Sequence, residues 1–73
     1  MNNFIDENFT IDFHVSKDIL YMMKLCEKAD AENNYGEYMN YAEFLLYTLC
    51  KEAYRQGHIT KKQWEIFERR YRL

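Results

Sequence analysis

Within the run Gln56-Gly57-His58-Ile59-Thr60-Lys61-Lys62-Gln63-Trp64, one helix must stop and another must start. Glycine tolerates the left-handed conformation that closes a helix, so Gly57 reads as the residue just past a C-terminus. Ile59 can then fold apolar surface back onto the helix end. The Thr60 hydroxyl suits the free N–H groups of a new first turn, and Gln63, three residues on, completes a capping box. Lys51 and Arg55 precede the stop, where cations complement the helix dipole, whereas Lys61 and Lys62 follow the start, where they do not. The run therefore predicts an antiparallel helix pair. It does not by itself predict the DNA-binding motif, since any Gly-capped hairpin shows the same pattern.

Seventy-three residues allow one domain. A chain this short buries only about 60% of its unfolded surface, so its core needs a high apolar content. The 48% hydrophobic and 18% aromatic composition supplies that. Proline is absent and only Gly36 and Gly57 can break regular structure, so few loops fit and the predicted fold is all-α. Residues 1–15 read as an N-terminal arm and residues 16–73 as a small three-helix bundle.

In the arm, Phe9, Ile11, Phe13 and Val15 alternate with Thr10, Asp12 and His14, the period of an extended segment. Ile5, Phe9 and Phe13 also recur every four residues, as on a helix, and both conformations stay open. An extended arm would lie on the bundle or pair with a second copy.

Ser16 reads as the N-cap of a first helix over 17–32, with Val15 and Leu20 spaced as a hydrophobic staple. Ile19, Met22, Met23, Cys26 and Ala29 form its core face, with Leu20, Tyr21 and Leu25 outside it. Residues 33–36 read as a loop. A second helix over 37–56 carries Tyr38, Ala42, Leu45, Leu49 and Ala53 in one row. Met39, Leu46, Tyr47, Cys50 and Tyr54 widen the row to an arc of roughly 200° at ~100° per residue. Such width predicts a helix flanked on two sides or one that also lines a subunit interface. Phe44 projects among Glu37, Asn40, Lys51 and Arg55 on the polar side. A third helix over 61–72 turns Trp64, Phe67 and Tyr71 inward. Its outer flank gathers Lys61, Lys62, Arg69 and Arg72, with Ile66 and Leu73 beside them.

Charge is unevenly spread. Residues 1–50 hold nine acids against three lysines, a net −6, and residues 51–73 hold seven bases against three acids, a net +4. That polarity suits intramolecular attraction, head-to-tail association or a basic binding face. Carboxylate pairs such as Asp6-Glu7 and Glu27/Asp30 read as solvated surface.

Cys26 and Cys50 show no Cys-x-x-Cys spacing and neither histidine is near them in sequence, so no metal set is read. They read as buried thiols on facing helices in a reducing compartment. Met1-Asn2-Asn3 lacks a basic leader, Asp6, Glu7 and Asp12 interrupt any apolar run, and no stretch nears the ~18 apolar residues of a membrane span. The expected location is cytoplasmic, with no membrane partner. No Gly-rich phosphate loop exists. Nucleophilic catalysis would draw on Ser16, Cys26, Cys50, His14 or His58. Ser16 is explained as a cap, both cysteines fall on apolar stripes, and His58 belongs to the hinge. The expectation is a non-enzymatic protein with no cofactor and no small-molecule substrate.

Leu49, Ala53, Gly57, Ile59, Thr60 and Trp64 carry a further pattern: an apolar helix, a glycine, Ile-Thr, then a helix with an early aromatic. Residues 49–73 thereby resemble the short C-terminal helical module known as SHOCT, with Trp64 and Phe67 heavier than is usual there. The resemblance covers about a third of the chain and implies association or oligomerisation. In size and composition the whole chain looks like small accessory or inhibitor proteins of phages and other mobile elements.

Seven tyrosines and four methionines exceed what one small core needs. Tyr, Trp and Met are enriched where surfaces meet, because an apolar body with a polar tip suits partial exposure. The expected function is a self-associating protein-interaction module, with Tyr21, Leu25, Phe44, Tyr47 and Tyr54 as its interface. The alternative is a nucleic-acid-binding regulator contacting phosphates through Lys61, Lys62, Arg69 and Arg72.

Overall fold

A computed structural model describes residues 4–72. Helix α1 spans Lys17–Ala31 and α2 spans Tyr35–Phe44; α2 runs directly into a π-helical stretch, Leu45–Cys50, and then α3, Lys51–Arg55. Helix α4 spans Lys61–Tyr71. The fold is all-α, with no strand among the described residues. Three members of the expected arm, residues 1–3, and Leu73 at the basic flank lie outside the described residues.

The local signals act as the sequence predicts. Ser16 Oγ accepts the Ile19 N–H at 3.3 Å and starts α1. Thr60 and Gln63 form a reciprocal capping box, with Gln63 N–H on Thr60 Oγ1 at 3.1 Å and Thr60 N–H on Gln63 Oε1 at 2.8 Å. Gly57 has φ +79°, and the Gly57 and His58 N–H groups bond the Tyr54 and Ala53 carbonyls at 3.1 and 2.8 Å. This is a Schellman closure, which satisfies carbonyls the helix leaves unpaired. Ile59, just beyond, is buried.

A second Schellman closure ends α1. Asn33 takes φ 55°, its N–H bonds the Asp30 carbonyl at 3.1 Å, and the Asn34 N–H bonds the Ala29 carbonyl at 2.9 Å. Asn34 then caps α2 by accepting the Glu37 N–H at 3.2 Å. Residues 33–36 are therefore not all loop. Two asparagines complete the turn between them, and α2 starts at Tyr35 with Gly36 inside its first turn.

The second helix is not a continuous α-helix over 37–56. In its π stretch the Lys51 N–H reaches back five residues to the Leu46 carbonyl. A π turn widens the helix by one residue and shifts the phase of everything after it. Leu45, Leu46 and Cys50 are fully buried, whereas Leu49 and Ala53 are only half-buried and Tyr47 points outward. A uniform 100° step overstates the apolar arc for this reason. The helix is still packed from two sides: α1 lies along α2 and the π stretch, and α4 lies against the π stretch and α3.

The core unites Ile19, Met23, Cys26 and Ala29 of α1 with Tyr38, Ala42, Leu45, Leu46 and Cys50, and with Phe67 and Tyr71 of α4. Trp64, the third member of α4's inner stripe, is half-buried and packs its ring 4.8 Å from that of Tyr54. The Tyr38 hydroxyl donates to the Tyr71 carbonyl at 2.5 Å, tying α2 to the end of α4.

A Cβ built on Gly57 meets nothing within 4 Å, so substitution there strains the backbone alone. Gly57→Ala should lower unfolding free energy by about 1–2 kcal/mol. Asn33→Gly, which relaxes a left-handed position, should leave it unchanged or slightly raised. Urea unfolding followed by circular dichroism measures both.

Candidate interaction surfaces

Among the described residues the N-terminal segment forms no helix and no ladder, yet its alternation is real. Phe9, Ile11, Phe13 and Val15 are half-buried, and Thr10, Asp12 and His14 are exposed. Helices rather than a neighbouring strand cover the apolar side. Phe13 meets Phe67 edge-on at 5.7 Å. Phe4 packs its ring 5.2 Å from Tyr35 and 5.1 Å from Tyr38, and Ile5 is buried.

The anchor of this segment is Asp30, which the sequence reading placed on the solvated surface. Asp30 is fully buried. Its Oδ1 accepts the N–H groups of Phe4 and, at 3.2 Å, Ile5. A buried carboxylate needs such donors, because stripping its water is costly unless hydrogen bonds replace it. No local pattern reveals this, since donor and acceptor lie 25 and 26 residues apart.

The basic end of α4 completes the hold. The Asp6 N–H bonds the Arg70 carbonyl at 2.8 Å. Arg70 Nη1 donates to the Phe9 carbonyl at 2.9 Å. The Arg69 guanidinium lies 5.7 Å from the centre of the Phe9 ring, within cation–π range. Arg72 Nη2 stands 3.8 Å from Asp6 Oδ2. Of the four residues assigned to the basic flank, Arg69 and Arg72 therefore face the N-terminal segment, while Lys61 and Lys62 are exposed at the start of α4. The acidic-to-basic polarity of the chain becomes an internal attraction at this end.

Among the residues expected at a protein interface, Tyr21 is 64% exposed, Tyr47 52%, Phe44 48% and Tyr54 36%. Leu25 is half-buried. Tyr35 and Leu20 add exposed apolar surface the sequence reading did not assign to the interface. Tyr54 is partly committed to Trp64, which leaves Tyr21, Phe44 and Tyr47 as the outward-facing members on α1, α2 and the π stretch.

A cleft of about 300 Å³ lies where the segment enters α1, opposite the Gly57 hinge. Its lining includes both histidines, His14 and His58, with Ser16, Asp18, Glu52 and Gln56 over Val15, Ile19, Leu49 and Ile59. The fold brings the two histidines together, and the sequence shows only their shared local setting. Each histidine stands two residues before an N-cap, in His14-Val15-Ser16-Lys17 and His58-Ile59-Thr60-Lys61. The Glu52 carboxylate is already engaged by Arg55 Nη1 at 3.2 Å and Gln56 Nε2 at 2.9 Å, and Ser16 by its cap. Among the described residues, no group of three or more His, Cys, Asp or Glu is placed to hold a metal ion, and no helix is long and apolar enough to cross a membrane.

Comparison of the chain with protein-family models, with curated proteins and with solved structures finds no match.

Cys26 and Cys50 are buried free thiols on α1 and the π stretch. Burial, reinforced by the Glu27 carboxylate, pushes Cys26 from an ordinary 9.0 up to about 12. Burial, reinforced by Cys26, pushes Cys50 to about 12. Burial also drives the Tyr38 and Tyr71 hydroxyls upward. A raised pKa means the folded state holds its proton longer than the unfolded chain. The stability this gives is complete below about pH 9 and is lost as pH rises toward 12. The urea midpoint should thus be flat from pH 7 to 8.5 and fall steeply above pH 9. A thiol reagent at pH 8 should label the native protein no faster than the protein unfolds.

Proposed function

We propose that this chain is a non-enzymatic protein-interaction module that self-associates, built as a three-helix bundle with a docked N-terminal arm. The carrying observation is the set of large apolar side chains left outward on adjoining helices, Tyr21 at 64%, Tyr47 at 52% and Phe44 at 48% exposure. Exposed aromatics of this kind are what interfaces use as anchors. The π stretch supports the reading. It turns Tyr47 away from the core while burying Leu45, Leu46 and Cys50, and π turns of this kind are frequent at functional sites. The resemblance of residues 49–73 to the SHOCT module points the same way.

A nucleic-acid role for α4 has less support, because Arg69, Arg70 and Arg72 are already turned to the N-terminal segment. Two buried free thiols suit a reducing compartment, and a cytoplasmic location is proposed on that ground. Size and composition suit an accessory or inhibitor protein of a mobile element.

Sedimentation equilibrium should show a mass above the monomer that grows with concentration. Phe44→Asp with Tyr47→Asp should weaken the association at least roughly tenfold while leaving the helical circular dichroism unchanged, as expected for two anchor residues. A strictly monomeric wild-type protein at millimolar concentration contradicts the reading. An association unaffected by the two substitutions removes these residues from the interface.

A further inference from the structure

Residues 4–9 sit on the helices as a peptide ligand sits on a receptor. The contacts that hold them are largely to main chain. The Phe4 and Ile5 N–H groups meet Asp30 Oδ1, the Asp6 N–H meets the Arg70 carbonyl at 2.8 Å, and the Phe9 carbonyl meets Arg70 Nη1 at 2.9 Å. A peptide that turns after its third residue offers those groups, as here, where the Asp6 carbonyl accepts the Phe9 N–H at 3.2 Å and Asp6 Oδ1 accepts the Asn8 N–H at 3.0 Å. Selectivity comes from three side chains: an aromatic ring against Tyr35 and Tyr38, a branched aliphatic group that is buried, and an acid facing Arg72 at 3.8 Å. The groove itself is lined by α1, α2 and the end of α4, which are held together by the π stretch that both α1 and α4 pack against and by the Tyr38 hydroxyl on the Tyr71 carbonyl. Residues 10–15, which join the segment to α1, form no regular structure.

We propose that this groove is a binding site for an aromatic–aliphatic–acidic peptide that turns after its acid, and that the partner it fits is the same segment of a second copy of this chain, exchanged reciprocally. The exchange names the partner in the self-association proposed above and rests on that reading. Exchange recreates in trans every contact now made in cis, so it needs no surface beyond the one described and closes as a two-fold dimer. The buried carboxylate of Asp30 sets the register. Shifting the segment by one residue would move Phe4 off the two tyrosines and expose Ile5.

The test is complementation between two full-length variants. Ile5→Asp spoils the segment and leaves the groove. Asp30→Ala spoils the groove and leaves the segment. Neither can make the contact with itself, but in an equimolar mixture the intact segment of the second meets the intact groove of the first. The mixture should form a heterodimer by native mass spectrometry, with an apparent dissociation constant at least roughly tenfold below that of either variant alone, as expected for restoring two hydrogen bonds to a charged group. A mixture that remains the sum of its two components overturns the proposal. If either variant is unfolded alone, a synthetic peptide of residues 4–12 titrated into full-length Ile5→Asp decides it. The peptide should bind and raise helical circular dichroism, and should do neither with the Ile5→Asp, Asp30→Ala double variant. No effect on the single variant, or an equal effect on both, also overturns the proposal. A wild-type dimer that persists while complementation fails leaves the aromatic face standing and removes arm exchange alone. Complementation that succeeds while Phe44→Asp and Tyr47→Asp change nothing supports the exchange and removes the aromatic face.

Discussion

The buried carboxylate of Asp30 is the constraint on which the joining of the N-terminal segment to the helices depends. It lies at the C-terminal end of α1, where a negative charge opposes the helix dipole. Its surroundings answer with donors. The side chain takes the N–H groups of Phe4 and Ile5, and the backbone carbonyl takes the N–H of Asn33 in the turn to α2. One residue therefore fixes the α1–α2 corner and the position of the N-terminal segment together. With Ile5 and Phe4 placed, Asp6 and Phe9 fall beside Arg70 and Arg72, and the basic end of α4 gains a partner. The Tyr38–Tyr71 bond ties the same corner to α4 from the inside.

The parts of the fold that were legible in the sequence are those decided within a few residues. Ser16, Gly57, and Thr60 with Gln63 act through bonds that span three to five positions, so their residue types carry the information by themselves. The period-two pattern of residues 9–15 was legible as alternating burial; of the two conformations it left open the segment is not helical, and helices rather than a strand supply its covering surface. Asp30 was illegible for the opposite reason. Next to Ala29 and Ala31 it looks like any acid near a helix end, and only the returning chain shows its role. The π stretch was hidden because Leu45-Leu46-Tyr47-Thr48-Leu49-Cys50 suits an α-helix locally; helices packed on two sides accompany the wider turn.

The same division applies to function. The outward placement of Tyr21 and Phe44 follows from helical phase and was readable, including Phe44's position on the polar side, whereas that of Tyr47 accompanies the π stretch. The use of Arg69, Arg70 and Arg72 was not, because a basic flank looks the same whether it awaits phosphates or already holds part of its own chain. The convergence of His14 and His58 on one cleft likewise needs the fold. A small domain with a marginal core has here drawn its N-terminal segment into that core, with Ile5 among the buried residues and Phe13 against Phe67. The segment is thus both structural cover and, by its chemistry, a ligand for the groove beneath it.

Amide hydrogen exchange at Phe4 and Ile5 tests this account most directly, since it reports whether these two N–H groups are held by a buried acceptor. In the wild-type protein both amides should be protected to a degree approaching that of the middle of α1. In Asp30→Ala their protection should vanish while that of α1 and α4 persists. Exchange of the wild-type Phe4 and Ile5 amides at the rate of an unstructured peptide, with the helices still protected, would contradict it.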